Sequence, residues 1–251
     1  MLSIIIPAFN EEARLPGTLR ELSRFLAAHA IAGEIIVVDD GSTDGTRSVV
    51  ERAAAEGLPC RVHSFGRNRG KGAAVAEGIG LAGGSWALFV DSDLPVDLSD
   101  LLVFLDLMKG DSDILVGSKY CRGAVARSRP PLIRVLGSRG FRLVAQLLLR
   151  PAVSDTQFGF KAIRRSRADA ILGRRRCDGF AFDAEMLVIA RRLGLGVREV
   201  PVTWSYAPGT SLRAGVAISA LGDLLAIWWR DLRGVYARGR DAAPDRLSSR
   251  S

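Results

Sequence analysis

Glu34-Ile35-Ile36-Val37-Val38-Asp39-Asp40-Gly41-Ser42-Thr43-Asp44-Gly45-Thr46 is the stretch on which the fold turns. Its apolar residues run continuously, as they do in a strand buried on both faces. Two acids and a glycine end the run, and over 44–56 apolar residues recur at the three- and four-residue spacing of a helix. The same succession lies on either side: apolar runs at 2–6, 61–65 and 86–90 are separated by helical periods at 11–30 and 71–82. A βαβαβ order predicts an α/β fold, a doubly wound and mostly parallel sheet.

A strand at 114–118 closes this half. Residues 121–131 are rich in Arg, Gly and Pro and read as an exposed loop. A helical pattern at 98–108 precedes the 114–118 strand; others follow at 132–150, 182–193 and 212–236, with strands at 159–163 and 197–202. The 132–150 helix interleaves Arg134, Arg139 and Arg142 with apolar residues, which suits packing on the sheet or resting on a membrane surface. The last helix is amphipathic and carries Trp228, Trp229, Arg230 and Arg233, and 241–251 read as a disordered tail.

The chain has 251 residues, 48% hydrophobic and 25% charged, enough to build a core and too apolar for a disordered chain. Thirty-five basic against 27 acidic residues leave a net charge of +8, which favours an anionic partner: nucleic acid, anionic lipid or a phosphorylated substrate. Cys60, Cys121 and Cys177 are odd in number and widely spaced, so a disulfide framework or thiolate zinc site is not expected, and a reducing compartment is. His29 and His63 are too few for a histidine metal cluster, so any metal must sit on carboxylates. Residues 1–7 read as a first strand and not a signal peptide. The apolar segment 215–229 is interrupted by Asp223 and is shorter than the roughly 20 residues of a spanning helix.

Val90-Asp91-Ser92-Asp93 is the strongest chemical signal. One aspartate after a strand is commonly a turn former or cap. Two of them where a parallel strand leaves the sheet stand at the position where open α/β sheets bind ligands. Carboxylates without histidine suit Mg²⁺ or Mn²⁺, which complete their shells with substrate phosphate oxygens. Asp39-Asp40 ends a second strand and Glu11 follows the first, so three strand ends form one acidic rim. Asp40 is placed to accept hydrogen bonds from a ribose hydroxyl or a base N–H. Gly66-Arg67-Asn68-Arg69-Gly70-Lys71-Gly72 has three residues, not four, before Gly-Lys and no following Ser or Thr, which excludes a P-loop. It reads as a glycine-rich approach to a helix with basic residues available to a phosphate.

Ile4-Ile5-Ile6-Pro7-Ala8-Phe9-Asn10-Glu11, 36–46, Asn68-Arg69-Gly70-Lys71-Gly72 and Asp91-Ser92-Asp93 together resemble glycosyltransferase family 2, with the GT-A fold. Val116-Gly117-Ser118-Lys119-Tyr120, Asp155-Thr156-Gln157-Phe158-Gly159-Phe160-Lys161 and Phe182-Asp183-Ala184-Glu185-Met186 resemble the polyprenyl-phosphate and dolichyl-phosphate sugar synthases. Within that branch, Asp155 to Lys161 and Val202-Thr203-Trp204 are most similar to the dolichyl-phosphate β-glucosyltransferases.

The resemblance implies a glycosyltransferase domain over 1–213, divided into a nucleotide half (1–118) and an acceptor half (119–213), with an amphipathic, membrane-associating helix at 214–240. It implies inverting transfer from UDP-glucose or a UDP-N-acetylhexosamine to polyprenyl phosphate. GDP-mannose as donor, a sugar hydroxyl as acceptor with Asp183 as general base, and an inactive nucleotide-binding module are the alternatives. Carried over residue by residue, Pro7, Phe9 and Glu11 border the nucleotide, Val38 and Asp40 the base, and Asp91, Ser92 and Asp93 the pyrophosphate. Asp93 is the expected direct metal ligand, with Asp91 beside it. Lys161 and Arg213 are candidate donor-phosphate partners. Lys119, Arg134 and Arg139 would meet the acceptor phosphate, while Asp155, Asp183 and Glu185 would orient cations or sugar hydroxyls. Pro95 stands where mannose-phosphate synthases carry a glutamine that can join the metal. The expected partners are a nucleotide sugar, polyprenyl phosphate, an anionic membrane surface on its cytoplasmic face and a small integral membrane protein, with no nucleic acid.

Overall fold

The computed structural model describes residues 1–128, 130–206 and 214–237, without the side chains of 133, 134 and 214–217. In chain order its elements are β1 (Leu2–Ala8), α1 (Leu15–Ala28), β2 (Gly33–Asp39), α2 (Thr46–Ala55), β3 (Cys60–Ser64), α3 (Lys71–Leu81), β4 (Trp86–Val90), α4 (Ser99–Leu107) and β5 (Ile114–Ser118). There follow β6 (Val125–Ala126), α5 (Leu132–Leu149), β7 (Phe160–Arg164), α6 (Arg165–Leu172), α7 (Phe182–Arg192), β8 (Val197–Pro201), β9 (Thr203–Trp204) and α8 (Ala214–Leu232).

Seven strands form one sheet in the order β3-β2-β1-β4-β7-β5-β8. β1 lies parallel between β2 and β4, and β8 is parallel to β5. β7 is antiparallel to both of its neighbours, β4 and β5. Because β4 and β5 both oppose β7, they point the same way. The C-terminal ends of β1, β2, β4 and β5 therefore share one edge, and β7 begins at that edge. This one reversed strand brings residues 155–159 to the acidic rim.

Successive side chains of a strand point to opposite faces, so each apolar run feeds two cores. Ile5, Val38, Phe89 and Val116 pack with α3, α6, α7 and the inner sides of α5 and α8. Ile4, Ile6, Val37, Leu88 and Val90 pack with α1, α2 and α4. The first helix starts at Leu15 and not near residue 11, with Pro16 in its first turn, where the missing N–H costs nothing. The exposed loop expected over 121–131 includes β6, which pairs with β9. The 241–251 tail lies outside the described residues.

Candidate active site

The turns after β1 and β2 are stitched together. Asn10 N–H donates to Ser42 Oγ at 2.9 Å, Glu11 N–H to Thr46 Oγ1 at 2.8 Å, Thr43 N–H to Asn10 Oδ1 at 2.9 Å and Gly45 N–H to Glu12 Oε2 at 2.7 Å. Asn10 takes a left-handed backbone (φ 57°), which asparagine tolerates better than most residues. These bonds fix the chain around Pro7, half-buried, and leave the Phe9 ring exposed at the sheet edge, while Val38 is buried. The Glu11 carboxylate is met by Arg14 at 3.1 Å.

Asp39 and Asp40 are both buried. Asp39 Oδ1 accepts Ser42 N–H at 2.9 Å, closing the turn. Asp40 accepts Arg69 N–H at 2.7 Å and Gly70 N–H at 2.9 Å, which anchors the approach to α3 beneath the rim. Burial pushes the Asp40 carboxyl above its usual range and Asp39 adds to that, against the opposing pull of the two N–H groups. Gly41 has φ 74°, and a Cβ there would lie 2.4 Å from the Arg67 carbonyl carbon, so the two loops touch only through glycine.

β4 delivers Asp91, Ser92 and Asp93. Asp91 Oδ1 is 2.6 Å from Lys71 Nζ, in the first turn of α3. Burial alone would make Lys71 easier to deprotonate, but Asp91, Asp183 and Asp93 outweigh it and hold the ammonium charged. Gly159 packs against the other side of Asp91: its carbonyl accepts Asp91 N–H, and a Cβ on it would fall 2.0 Å from Asp91 Oδ2. Ser92 is buried with its carbonyl bound by Thr18 Oγ1 at 2.7 Å. Asp93 makes no salt bridge among the described residues. Burial first, then Asp91, raises its pKa.

The second half contributes cations and buried acids. Lys119, just past β5, holds its ammonium 5.2 Å from the Tyr120 ring centre and 5.5 Å from that of Trp204. Asp155, buried, accepts Gln157 and Phe158 N–H at 3.1 and 3.2 Å and so shapes the turn that carries Gly159 to Asp91. Lys161 is fully buried: its Nζ donates to Phe158 O at 2.5 Å and to Asp183 Oδ1 at 2.7 Å. Both Lys161 and Asp183 are thus buried and meet protein partners. Arg139 is exposed on α5; the Arg134 side chain and all of Arg213 lie outside the described residues. Glu185 is fully buried and turned toward the backbone of 176–177 and Tyr236.

The structure thus gathers Glu11, Asp40, Asp91 and Asp93 at one edge and adds two residues that sequence reasoning left unassigned, Lys71 and Arg14. Lys71 was visible as the one lysine inside a glycine-rich run; its acidic partner was not. A divalent cation suits this edge. Asp91 and Asp93 are hard oxygen donors; Asp91 is paired directly with Lys71, whereas Asp93 makes no salt bridge among the described residues. Among the described residues no group of three or more His, Cys, Asp or Glu is positioned to hold a metal, so such an ion would complete its shell with oxygens from elsewhere.

Residues 3–172 match the model of the family described as glycosyl transferase family 2. Curated relatives include the dolichyl-phosphate beta-glucosyltransferase of Dictyostelium discoideum, 32% identical over 94% of this chain and 76% of that protein. The protein of the same name from Drosophila melanogaster is 35% identical, again over 94% and 76%. Among solved structures, glucosyl-3-phosphoglycerate synthase from Mycobacterium tuberculosis in complex with UDP superposes with a TM-score of 0.67 at 20% identity, over 91% of this chain and 80% of that one. The same enzyme with Mn²⁺, UDP-glucose and phosphoglyceric acid gives 0.65 at 18% identity, over the same 91% and 80%. These likenesses show that the fold is GT-A.

Proposed function

This chain belongs to glycosyl transferase family 2, and we propose that it moves glucose, or an N-acetylhexosamine, from a UDP-sugar to polyprenyl phosphate, giving a polyprenyl-phosphate β-sugar and UDP. The chain is a hexosyltransferase. The observation that carries the choice of substrates is the activity named for its relatives, which extend across nearly the whole chain.

The geometry suits that reaction. A phosphate oxygen of the acceptor forms a bond to the anomeric carbon while the bond from that carbon to the donor's β-phosphate oxygen breaks, and the electron pair leaves with UDP. The acceptor is ionised at neutral pH, so no general base is required; the task is to bring two anions together and balance the charge that develops. Asp40, Val38, Pro7 and Phe9 border the place for the nucleoside. Lys71, charged and held by Asp91, stands beside the place for the diphosphate. Lys119, at the end of β5 on the same edge, would meet the acceptor phosphate, and Arg139, exposed on α5, would join it; Arg134 is a further candidate whose side chain lies outside the described residues. Asp93, with Asp91, would hold Mg²⁺ or Mn²⁺, which when bound supplies positive charge to the leaving diphosphate. The enzyme works from the cytoplasmic face of a membrane, where 1–118 bind donor, 119–213 bind acceptor and 214–240 meet lipid.

The test is incubation with labelled UDP-glucose, UDP-N-acetylgalactosamine or GDP-mannose, polyprenyl phosphate and Mg²⁺ or Mn²⁺, followed by organic extraction. Label from a UDP-sugar is expected in the lipid phase. Label from GDP-mannose alone would replace the donor, and label from none of them would remove the acceptor.

A further inference from the structure

The Glu185 carboxylate gathers three donors from two separate parts of the chain. It accepts Arg176 N–H at 2.9 Å, Cys177 N–H at 2.8 Å and Tyr236 Oη–H at 2.7 Å, and Arg230 Nη1 lies 4.0 Å away. Glu185 and Tyr236 are both fully buried, so no solvent competes for these bonds. One carboxylate thereby joins α7, the loop of 173–181 and the turn that follows α8.

That loop packs against the start of α3, on either side of Lys71. Its Asp178 carbonyl accepts Ala73 N–H at 3.2 Å, in the first turn of α3. A Cβ on Gly70 would lie 2.4 Å from Asp178 O, and one on Gly72 would lie 2.5 Å from Phe182 Cβ, so loop and helix meet with no room between them. Lys71 sits between those two glycines, with its ammonium 5.4 Å from the Phe180 ring centre. A second contact from α8 reaches the same loop: a Cβ on Gly179 would be 2.7 Å from Asp223 Oδ2.

We propose that Glu185 is a positioning residue, clasping the loop of 173–181 against α3 so that Lys71 is held in place for the donor diphosphate, and that donor affinity depends on the Tyr236 hydrogen bond that ties the turn after α8 to this clasp. The proposal rests on the reading of Lys71 as a donor residue. Glu185 touches no substrate. It acts through the Arg176 and Cys177 amides on one side and through Tyr236 on the other.

Tyr236→Phe keeps the ring and removes one bond. It is compared, in the full chain, with Glu185→Gln and with Ile227→Val, a packing change on α8 with no polar role. UDP titration in Mn²⁺ buffer gives donor affinity without needing an acceptor, and hydrogen exchange reads the Arg176 and Cys177 amides. Tyr236→Phe is expected to weaken UDP binding roughly fivefold, the scale of one lost hydrogen bond, and to speed exchange at both amides. Glu185→Gln is expected to do more of both, and Ile227→Val to leave UDP affinity unchanged. Faster exchange with wild-type UDP affinity in Tyr236→Phe would show a clasp with no bearing on the donor and overturn the proposal, as would equal weakening by Ile227→Val. A wild type that binds UDP but labels no lipid defeats the assigned acceptor and leaves this test intact; a wild type that binds no UDP defeats both.

Discussion

The ammonium of Lys71, at the start of α3, lies 2.6 Å from Oδ1 of Asp91, at the end of β4. This pair joins the glycine-rich approach to a helix with the acidic motif after a strand. If Lys71 serves the donor as well as Asp91, Lys71→Met should weaken UDP binding by roughly tenfold to a hundredfold, the range for a hydrogen bond to a charged group. Lys71→Arg should recover part of the loss. The measurement is UDP titration, and unchanged affinity in Lys71→Met would reduce the residue to a buttress for Asp91.

Asp93 differs from Asp91 in making no salt bridge among the described residues. Asp93→Asn keeps the shape and removes the charge, so it should abolish transfer and flatten the dependence of UDP binding on Mn²⁺ concentration. Retention of full activity would refute the metal assignment.

Gly159 tests the support of that site. A methyl group there would lie 2.0 Å from Asp91 Oδ2, so Gly159→Ala must displace either the β7 approach or the carboxylate. We expect a loss of about 1–3 kcal/mol in unfolding free energy, together with most of the activity. Gly17, inside α1 with nothing near its absent Cβ, is the counterpart. Gly17→Ala should stabilise by roughly 0.5–1 kcal/mol without touching activity. Denaturant melts of the two variants give both numbers.

The parts of this site that could be read from the sequence are those carried by local pattern. Continuous apolar runs ending in acids place Asp40 and Asp93 on strand ends, and the helical periods between them dictate parallel pairing of β1, β2 and β4. What pattern does not carry is the direction of a later five-residue strand. Phe160-Lys161-Ala162-Ile163-Arg164 reads the same in either sense, yet its reversal is what seats Gly159 against Asp91. Helix α6 is hidden for a similar reason: Ala168 and Ile171 are its only buried residues among arginines, too few to show a period. Lys161 looks like a phosphate ligand by type, and only the fold reveals that Asp183 already occupies it.

Glu34 supplies a test of stability against pH. It accepts Ser3 Oγ–H at 2.6 Å and Gly83 N–H at 2.8 Å and pairs with Arg61, tying three strands and the approach to β4. Burial by itself would raise its pKa, but Ser3, Gly83 and Arg61 together bring it below 4.5. A depressed carboxylate stabilises the fold above its unfolded pKa, and that contribution fades as pH falls through the folded value. Glu34→Gln should therefore melt below wild type at pH 7, and the gap should close as pH drops through about 4 and below. Melting curves across that range check the sign; a gap that widens in acid would contradict it.

The last prediction concerns how the chain reaches a lipid acceptor, given that no described helix is long and apolar enough to cross a membrane. α5 and α8 pack on each other, and each turns apolar residues outward: Leu132, Leu136, Leu143 and Leu147 from one, Ile218, Leu221, Leu225, Trp229 and Leu232 from the other, all exposed. The opposite sides are core, with Ala145, Leu149, Leu224 and Ile227 buried. Arg191 locks the pair, donating to the Arg150 carbonyl after α5 and to Asp231 on α8, so the outer faces keep their relation. Arg139 is exposed on α5, and the Arg233 guanidinium stacks 4.3 Å from the Trp229 ring centre. Such a surface fits an anionic bilayer by two routes, one electrostatic at about 1 kcal/mol per basic residue and one apolar at about 1.5–3 kcal/mol for each large side chain fully buried. Flotation with vesicles containing anionic lipid should show binding that weakens with salt but does not vanish. Leu136→Glu with Leu225→Glu should leave UDP affinity intact, abolish the salt-resistant part and reduce transfer to membrane-embedded acceptor. Equal flotation of that double variant would move lipid contact to another face.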